Sequence, residues 1–356
     1  MGHIIFIFIA FALSLTLNYI FSLYGCRWGF CDKPSRRRIH TGHVSRLGGA
    51  GFILSSMPLS FMFTDVLFEY TLFTLGMALV FIEGLLDDLL DLHFSQKMTF
   101  EFFAASFIFL SGLGIRTIGF GIELHPAISF VFTVFAAVGV INAMNMIDGA
   151  DGVSGTISLI ALLTFAYLFY WSGHSVFYMF SLLLAASILG FLIFNFPPAR
   201  IFMGDNGSLT LGYIFTALSI FLTQEQGSRI WPIIPVLILS IPIFDTLWVI
   251  YRRFRYIYGS YRTLKGTLRN IHMLFYSDNR HLHHLLLRRL SPRAMILVIL
   301  LLQLFFSIEA VFLSRLPEIY GWVVALLNFI LVGNLHKLWK EKEFSYTASE
   351  KQESRS

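Results

Sequence analysis

The segment TLFTLGMALVFIEGLLDDLLDL, residues 71–92, places three carboxylates directly after an apolar run. The run from Thr71 to Ile82 has the composition of a membrane span, so Asp87, Asp88 and Asp91 stand at a membrane edge. If the helix continues through Asp91, the three- and four-residue spacings bring the carboxylates to one face. They then repel one another unless a cation or a proton joins them. The segment therefore predicts either a charged site at the membrane edge or a solvated helix end.

Composition places the rest of the chain in a membrane as well. The 356 residues are 56% hydrophobic and only 13% charged, and the mean hydropathy is +0.71, whereas soluble domains carry about 25% charged residues. Since roughly 20 apolar residues cross a bilayer, we predict an all-α, polytopic membrane protein with eleven transmembrane helices. The expected limits are 3–24, 47–63, 67–85, 98–115, 124–143, 154–172, 176–195, 207–223, 231–251, 294–314 and 318–336.

The basic residues orient these helices. Of the 26 Lys and Arg residues, 23 fall on one side of the predicted membrane, and only Arg116, Arg229 and Arg315 fall on the other. Cytoplasmic loops carry the excess of Lys and Arg, so we expect the N-terminus outside and the C-terminus in the cytoplasm. The run Arg36–Arg38 belongs to this topology signal. Because topology accounts for most of the net charge of +5, we predict no nucleic-acid partner.

The unusual polar motifs all fall on the cytoplasmic side. They are DKPSRRRIHTGHVSRLGG (32–49), DDLLD (87–91), NAMNMIDGADG (142–152), NFPPARIFMGDNGS (195–208) and NRHLHHLLLRR (279–289). A permeation path would place polar groups through the depth of the bilayer. Motifs gathered on one face indicate an interfacial site instead.

The domain organisation follows from the same pattern. We predict one membrane-embedded domain over 1–340 and a polar, disordered cytoplasmic tail over 341–356. The cytoplasmic loops expected to carry the site are 25–46, 86–98, 144–153, 196–206 and 252–293. Cys26 and Cys31 lie in the first of these loops, and we expect two free thiols there.

The acids and amides of these loops suit a hard cation. Asn145, Asp148 and Asp151 share the third motif with glycines that permit close backbone approach, and Asp205 lies in GDNGS. Mg²⁺ takes oxygen ligands, often one or two carboxylates with substrate phosphates. The pattern indicates a nucleotide or diphosphate substrate, on whose flat ring Phe202 could stack. Helix caps and interface anchoring are the alternatives.

The histidine motif favours phosphate binding. His281, His283 and His284 stand near Arg280, and imidazole and guanidinium groups donate to phosphate oxygens. Zinc fits less well because no thiolate accompanies the histidines. A basic interfacial helix that contacts lipid headgroups is the other alternative.

Together these motifs resemble those of the polyprenyl-phosphate N-acetylhexosamine-1-phosphate transferase superfamily (glycosyltransferase family 4, MraY/WecA-like). The resemblance runs from Asp32 to Arg289, and its HLHH form is that of the WecA-type branch. It implies an enzyme of class EC 2.7.8.-, dependent on Mg²⁺ with Mn²⁺ as a substitute. Such enzymes lie in the cell membrane with the active site facing the cytoplasm, and a homodimer is the assembly expected.

The resemblance also implies the reaction. N-acetylglucosamine 1-phosphate would pass from UDP-N-acetylglucosamine to undecaprenyl phosphate, releasing UMP, and the lipid product would begin O-antigen, capsule or wall-polymer synthesis. Another UDP-N-acetylhexosamine is the first alternative as the donor. A transporter of lipid-linked sugar is a more remote alternative.

Site roles carry over by motif. The resemblance makes Asp87, Asp88 and Asp148 catalytic, with Asp87 or Asp88 the base that deprotonates the lipid phosphate. It makes Asp205, Asp88 and Asn195 metal ligands. The residues expected to bind substrate are Asn145, Asp151, Phe202, His281, His283, His284, Arg280, Asp91, Lys97 and Arg46. Direct attack is the mechanism we expect, and a covalent aspartyl intermediate is the alternative. Asp245, in the ninth predicted span, has no role in this scheme.

Overall fold

The computed structural model describes residues 2–32, 43–63, 71–224, 228–261 and 280–338. Within these ranges it has thirteen helices and one pair of two-residue strands. The helices are α1 (Gly2–Tyr24), α2 (Gly48–Phe63), α3 (Thr71–Leu90), α4 (Phe94–Leu110), α5 (Pro126–Ile147), α6 (Val153–Trp171), α7 (Ser175–Asn195), α8 (Asp205–Gln224), α9 (Ile233–Ile238), α10 (Ser240–Tyr261), α11 (Leu282–Leu287), α12 (Pro292–Leu313) and α13 (Glu318–Leu338). Several predicted features lie wholly or partly outside the described residues: the disordered tail 341–356, the topology signal at Arg36–Arg38, the start of the third span 67–85, and parts of the loops 25–46 and 252–293.

The prediction of an all-α, polytopic membrane protein is confirmed. Seven helices in the described ranges are long and apolar enough to cross a membrane, namely α1, α5, α6, α7, α8, α12 and α13. The other predicted spans coincide with α2, α3, α4 and the α9–α10 pair. The count of eleven spans stays a prediction, because length and composition identify only seven.

Helix α8 forms the centre of the bundle. Of the residues in its apolar stretch, 94% are buried, and the helix packs against α2, α3, α5 and α6. A helix that is apolar on all sides is surrounded by other helices rather than lying on a surface. The N-terminus of α8, which begins at Asp205, therefore lies inside the bundle at the level where the polar loops meet.

The third helix ends earlier than the one-face arrangement of the three aspartates requires. Helix α3 ends at Leu90, and Asp91 has a left-handed φ of +49°. The side chain of Asp91 is exposed, whereas Asp87 and Asp88 are buried. The condition for the one-face arrangement, a helix that continues through Asp91, is therefore not met.

The ninth predicted span is broken, but not at Pro242. Helix α9 ends at Ile238, and α10 begins at Ser240. Pro242 lies in the first turn of α10, where its missing N–H costs no helical hydrogen bond. The break in this span therefore lies at Leu239, and Pro242 does not interrupt the interior of a helix.

The first loop is closed by a disulfide. Cys26 and Cys31 are bonded to each other, so the expectation of two free thiols is wrong. Strand β1 (Cys31–Asp32), which begins at the second of these cysteines, pairs antiparallel with β2 (Val44–Ser45). This short pair brings the end of the first loop back to the N-terminus of α2.

Candidate active site

The end of α3 packs directly against the turn that begins α8. A Cβ on Gly84 would lie 2.3 Å from the backbone nitrogen of Asn206, so only glycine allows this approach. One turn later, Asp88 accepts hydrogen bonds from the backbone N–H groups of Asp205 and Asn206, both at 3.2 Å, and from Asn206 Nδ2 at 2.7 Å. The first N–H groups of a helix lack partners within it. Asp88 therefore caps α8 from another helix.

Arg46 secures the same turn from the first loop. Its carbonyl oxygen accepts a hydrogen bond from Asn206 Nδ2 at 2.9 Å, and its guanidinium lies 3.7 Å from the Asp88 carboxylate. The Arg46 Nε donates to Asp32 Oδ1 at 2.9 Å. Gly204, with a left-handed φ of +74°, lies where a Cβ would approach the Arg46 carbonyl oxygen to 2.2 Å. Asp32 and Asp88 thus hold Arg46 at the base of the site.

Lys97 joins two carboxylates that come from distant parts of the chain. Its Nζ forms an ion pair with Asp87 and lies 3.3 Å from Asp205 Oδ2. Asp87 lies past the predicted end of the third span, and its Oδ1 also accepts a hydrogen bond from the backbone N–H of Leu92 at 2.8 Å. Burial, with the Asp205 carboxylate nearby, raises the pKa of Asp87 to about 7. Asp87 therefore faces the Lys97 ammonium, while Asp88 holds the turn that begins α8.

The loop after α5 adds a third acid to this group. Asp148 follows the last residue of α5 as its C-cap. Burial, and then the charges of Asp205 and Asp88, raise the pKa of Asp148 well above its ordinary value. Asn145, one turn earlier, donates to Ser208 Oγ at 3.1 Å and lies beside Asp205. The third and fourth motifs therefore meet at the N-terminus of α8.

Two further predicted site residues hold loop backbone. Asn195 Oδ1 accepts a hydrogen bond from Gly152 N at 2.9 Å, and its Nδ2 donates to the carbonyl of Ile201 at 2.8 Å. Asp151 Oδ2 accepts from Ala199 N at 2.9 Å. Both side chains fasten the loop after α5 to the loop after α7. The metal-ligand role of Asn195 and the substrate-binding role of Asp151 stay predictions.

Phe202 is positioned by its backbone. Its N–H donates to Ser45 O at 2.8 Å, and its carbonyl accepts from Gly48 N at 2.9 Å. The segment therefore runs alongside the N-terminus of α2, and the half-buried Phe202 comes two residues before the turn at Gly204. This position is compatible with the predicted stacking on a nucleobase, which stays a prediction.

The histidine motif lies against the loop after α5. His283 is fully buried, and its Nε2 lies 2.4 Å from where a Cβ on Gly149 would be. The rings of His283 and His284 have centroids 4.1 Å apart, and His281 stacks on His283 at 5.9 Å. Burial lowers the pKa of His283 well below its ordinary value, and the neighbouring His284 and His281 lower it further. Arg280 precedes the cluster and is half-buried.

The structure thus gathers most of the predicted site around the start of α8. Residues of all five motifs contribute, and Asp91 is the predicted site residue that lies on an exposed turn instead. Sequence reasoning missed several supporting side chains, which are Asp32, Asn206, Ser208 and His336. Asp32, Asn206 and Ser208 belong to motifs already singled out, whereas His336 has no local signal.

The residues fit a divalent cation whose remaining ligands come from water and the substrate. Within the part of the chain that the structure describes, no three side chains of the metal-binding type converge on one point. The Lys97 ammonium nevertheless occupies a position between Asp87 and Asp205, which shows that this pair binds positive charge. Mg²⁺ often takes one or two carboxylates together with water and substrate phosphates. The donor set therefore suits Mg²⁺ held by an aspartate together with water and substrate phosphates.

The fold and the site define a membrane-embedded enzyme of phosphate chemistry. Its acids and cationic donors lie together where apolar helices end, so a charged, water-borne substrate and a lipid can both reach them. Comparison with known proteins narrows this class.

Two comparisons agree. The profile of Glycosyl transferase family 4 matches residues 70–223. A Bacillus subtilis protein named "Probable undecaprenyl-phosphate N-acetylglucosaminyl 1-phosphate transferase" is 32% identical over 338 residues, covering 92% of this chain and 89% of the relative. Proteins named "Undecaprenyl-phosphate alpha-N-acetylglucosaminyl 1-phosphate transferase" from Haemophilus influenzae and Escherichia coli K12 are each 30% identical. They cover 94% and 89% of this chain, and 94% and 86% of their own lengths.

The chain belongs to glycosyl transferase family 4. The resemblance to the WecA-type branch is confirmed, since these relatives match nearly the whole chain. The protein is therefore a membrane transferase.

Proposed function

We propose that this protein transfers N-acetylglucosamine 1-phosphate from UDP-N-acetylglucosamine to undecaprenyl phosphate. The observation that carries the proposal is the Asp87–Lys97–Asp205 group at the end of the helices, in a chain whose relatives are named for this reaction. Those names argue against the transporter alternative. The product is a lipid-linked diphosphate sugar of the kind that begins a surface polysaccharide.

The chemistry is a direct displacement at phosphorus. An oxygen of the lipid phosphate attacks the β-phosphorus of the UDP-sugar, and a new P–O bond forms. The bond from that phosphorus to the bridging oxygen breaks, and UMP leaves with the electron pair. Two anions must meet for this step, so the site has to offset their repulsion.

Asp87 is the base in this scheme. Burial raises the pKa of Asp87 and that of Asp88 alike to about 7, which suits proton removal from a lipid phosphate near neutral pH. Asp88 is already committed to three hydrogen bonds from Asp205 and Asn206. We therefore assign proton transfer to Asp87 and the shaping of the turn to Asp88.

The positive groups receive the phosphates. These are Lys97 and Arg46, which lie beside the carboxylates. The histidine cluster lies against Gly149 at the edge of the same site and binds the sugar of the donor. Asp205 is the residue that would hold Mg²⁺, or Mn²⁺ in its place, with water and substrate phosphates as the other ligands. When bound, the ion offsets phosphate charge and stabilises the transition state.

The site faces the cytoplasm in this proposal. Eleven spans with the N-terminus outside place 23 of the 26 Lys and Arg residues on the inner side. That side is where a UDP-sugar is available, while the prenyl phosphate arrives from the bilayer. The cell membrane is the location that follows, and the homodimer stays a prediction.

A donor panel tests the proposal. The full-length protein in lipid nanodiscs receives undecaprenyl phosphate, Mg²⁺ and one of three donors: UDP-N-acetylglucosamine, UDP-N-acetylgalactosamine or UDP-glucose. UMP release with the first donor is expected. Release with UDP-N-acetylgalactosamine alone would favour the alternative hexosamine, and a folded protein that releases no UMP with any donor would contradict the proposal.

A further inference from the structure

A buried carboxylate on α10 connects the histidine motif to the last described helix. Asp245 Oδ2 lies 2.7 Å from His281 Nδ1, and its Oδ1 lies 2.6 Å from His336 Nε2. The same Oδ1 accepts a hydrogen bond from Leu282 N at 2.9 Å. The proposed transfer reaction assigns no role to Asp245 or His336.

The burial of this group makes its geometry specific. Asp245 is 0% exposed, His336 is 1% exposed and His281 is 4% exposed. A carboxylate without water needs donors for its lone pairs, and removing one partner leaves an unpaired buried group. Two imidazoles and one backbone amide supply those donors. Asp245 therefore restrains the His281 ring and also the backbone just after it.

The hydrogen bond at Nδ1 decides which nitrogen of His281 is available. An ionised carboxylate only accepts, so His281 Nδ1 carries the proton in this contact. In the neutral ring the Nε2 atom, on the opposite side, carries a lone pair and can accept a hydrogen bond from another partner. A carboxylate that fixes the tautomer and orientation of a working histidine is a recurrent arrangement in proteins.

The restraint extends to the reacting part of the site through ring contacts. The His281 and His283 rings are nearly parallel, with an interplanar angle of 11° and centroids 5.9 Å apart. His283 in turn lies against Gly149, directly after Asp148. A shift of His281 would therefore move the neighbouring imidazole against the loop that carries Asp148.

We propose that Asp245 and His336 are positioning residues that hold His281 with Nε2 free to accept a hydrogen bond from a hydroxyl or amide N–H group of the donor sugar. The proposal rests on the assignment of the histidine motif to donor binding in the proposed function. It gives helix α13, which supplies His336, a part in the active site. It also predicts an effect on the nucleotide-sugar donor that the lipid acceptor does not share.

A double-mutant cycle tests this proposal against a purely structural role. In the full-length protein, Asp245→Asn should lower kcat/KM for UDP-N-acetylglucosamine roughly 10- to 100-fold, with the KM for undecaprenyl phosphate within about 2-fold. In a His281→Gln background the same change should add less than about 2-fold, since residues that act through one another are not additive. An equal loss in both backgrounds, or an equal rise in both KM values, would overturn the proposal.

His336 provides a second arm if Asp245→Asn fails to fold. His336→Gln keeps an N–H group that can donate a hydrogen bond to Asp245, so it should retain most of the activity. His336→Phe has no such group and should bind UDP-N-acetylglucosamine more weakly. Equal kinetics in these two variants would count against the proposal. Glu309→Gln is the matched control, because Glu309 pairs with Asn328 at 2.9 Å between α12 and α13, and both of its KM values should stay at the wild-type level.

An NMR measurement separates this proposal from the proposed function. In protein labelled with ¹⁵N-histidine, the signal lost in His281→Gln should report protonation at Nδ1, and Asp245→Asn should change it. This readout needs no turnover, so it holds even for a preparation that releases no UMP. A His281 protonated only at Nε2 would overturn the positioning role, whereas UMP release by the wild type would leave the proposed function intact.

Discussion

Asp88 and Asn206 are joined by two hydrogen bonds, one from the backbone N–H of Asn206 at 3.2 Å and one from its side-chain Nδ2 at 2.7 Å. This contact fastens the end of α3 to the start of α8. Because Asp87 is the preceding residue on α3 and Asp205 the preceding residue on α8, the same contact places those two carboxylates on either side of Lys97. The geometry of the site thus depends on a residue that we do not assign to proton transfer.

The first prediction concerns this contact. Asp88→Asn should lower the free energy of unfolding by about 1.5–3 kcal/mol for the loss of hydrogen bonds to a charged group, and the rate should fall because the turn at Asp205 loosens. Thermal unfolding in nanodiscs and initial rates measure the two effects. Glu309→Gln, which neutralises an acid away from the site, is the control. An Asp88→Asn variant with the stability of the wild type would show that the capping contact is not important.

The second prediction concerns charge at the paired carboxylates. Lys97 and a divalent cation compete for Asp205 in our account, so Lys97→Gln should bind Mn²⁺ more tightly than the wild type while reacting more slowly. Electron paramagnetic resonance of Mn²⁺ measures the affinity without turnover. Weaker Mn²⁺ binding in Lys97→Gln would indicate that the ion binds elsewhere.

The third prediction follows from the lowered pKa of His283. An unfolded histidine takes up a proton as the pH falls below about 6.5, but buried His283 does not. Proton binding therefore stabilises the unfolded state and lowers the free energy of unfolding. Stability from this group is complete above that pH and is lost as the pH falls below it, by up to about 1.4 kcal/mol per pH unit. His283→Gln should remove this dependence. Melting temperatures from near-neutral to mildly acidic pH check the slope, and identical slopes in both proteins would contradict the account.

The fourth prediction distinguishes direct attack from a covalent intermediate. If the lipid phosphate attacks the donor directly, labelled UMP should not enter UDP-N-acetylglucosamine when undecaprenyl phosphate is absent. The exchange is followed by chromatography of the nucleotide pool, with the complete reaction as the positive control. Exchange without lipid at a rate near turnover would favour an enzyme-bound phospho-sugar.

The sequence is enough to predict the helical segments and the level of the site. Apolar runs have the length of a bilayer, so the limits of the predicted helices agree with the structure to within a few residues at α1, α2 and α13. Polar motifs that follow such runs must lie at the membrane surface, because the bilayer interior excludes them. The sequence therefore predicts Asp87, Asp148 and Asp205 on the same side of the membrane, and the structure brings them together.

The finer contacts depend on registers that no local pattern records. Adjacent aspartates look alike in sequence, and only the angle at which α3 meets α8 decides that Asp88 receives the backbone donors. The end of α3 at Leu90 follows from the left-handed turn at Asp91, for which a single aspartate is a weak signal. Asp245 and His336 are 91 residues apart, so their pairing follows only from the packing of α10 against α13.

The most direct test measures both products in the wild type and in Asp87→Asn at saturating Mg²⁺. Mass spectrometry quantifies UMP and undecaprenyl-diphosphate N-acetylglucosamine, and calorimetry checks that each protein binds UDP-N-acetylglucosamine. We expect the wild type to form the two products in equal amounts. Asp87→Asn should form both about 100- to 10,000-fold more slowly while still binding the donor. A variant as fast as the wild type, or UMP released without the lipid product, would contradict the account.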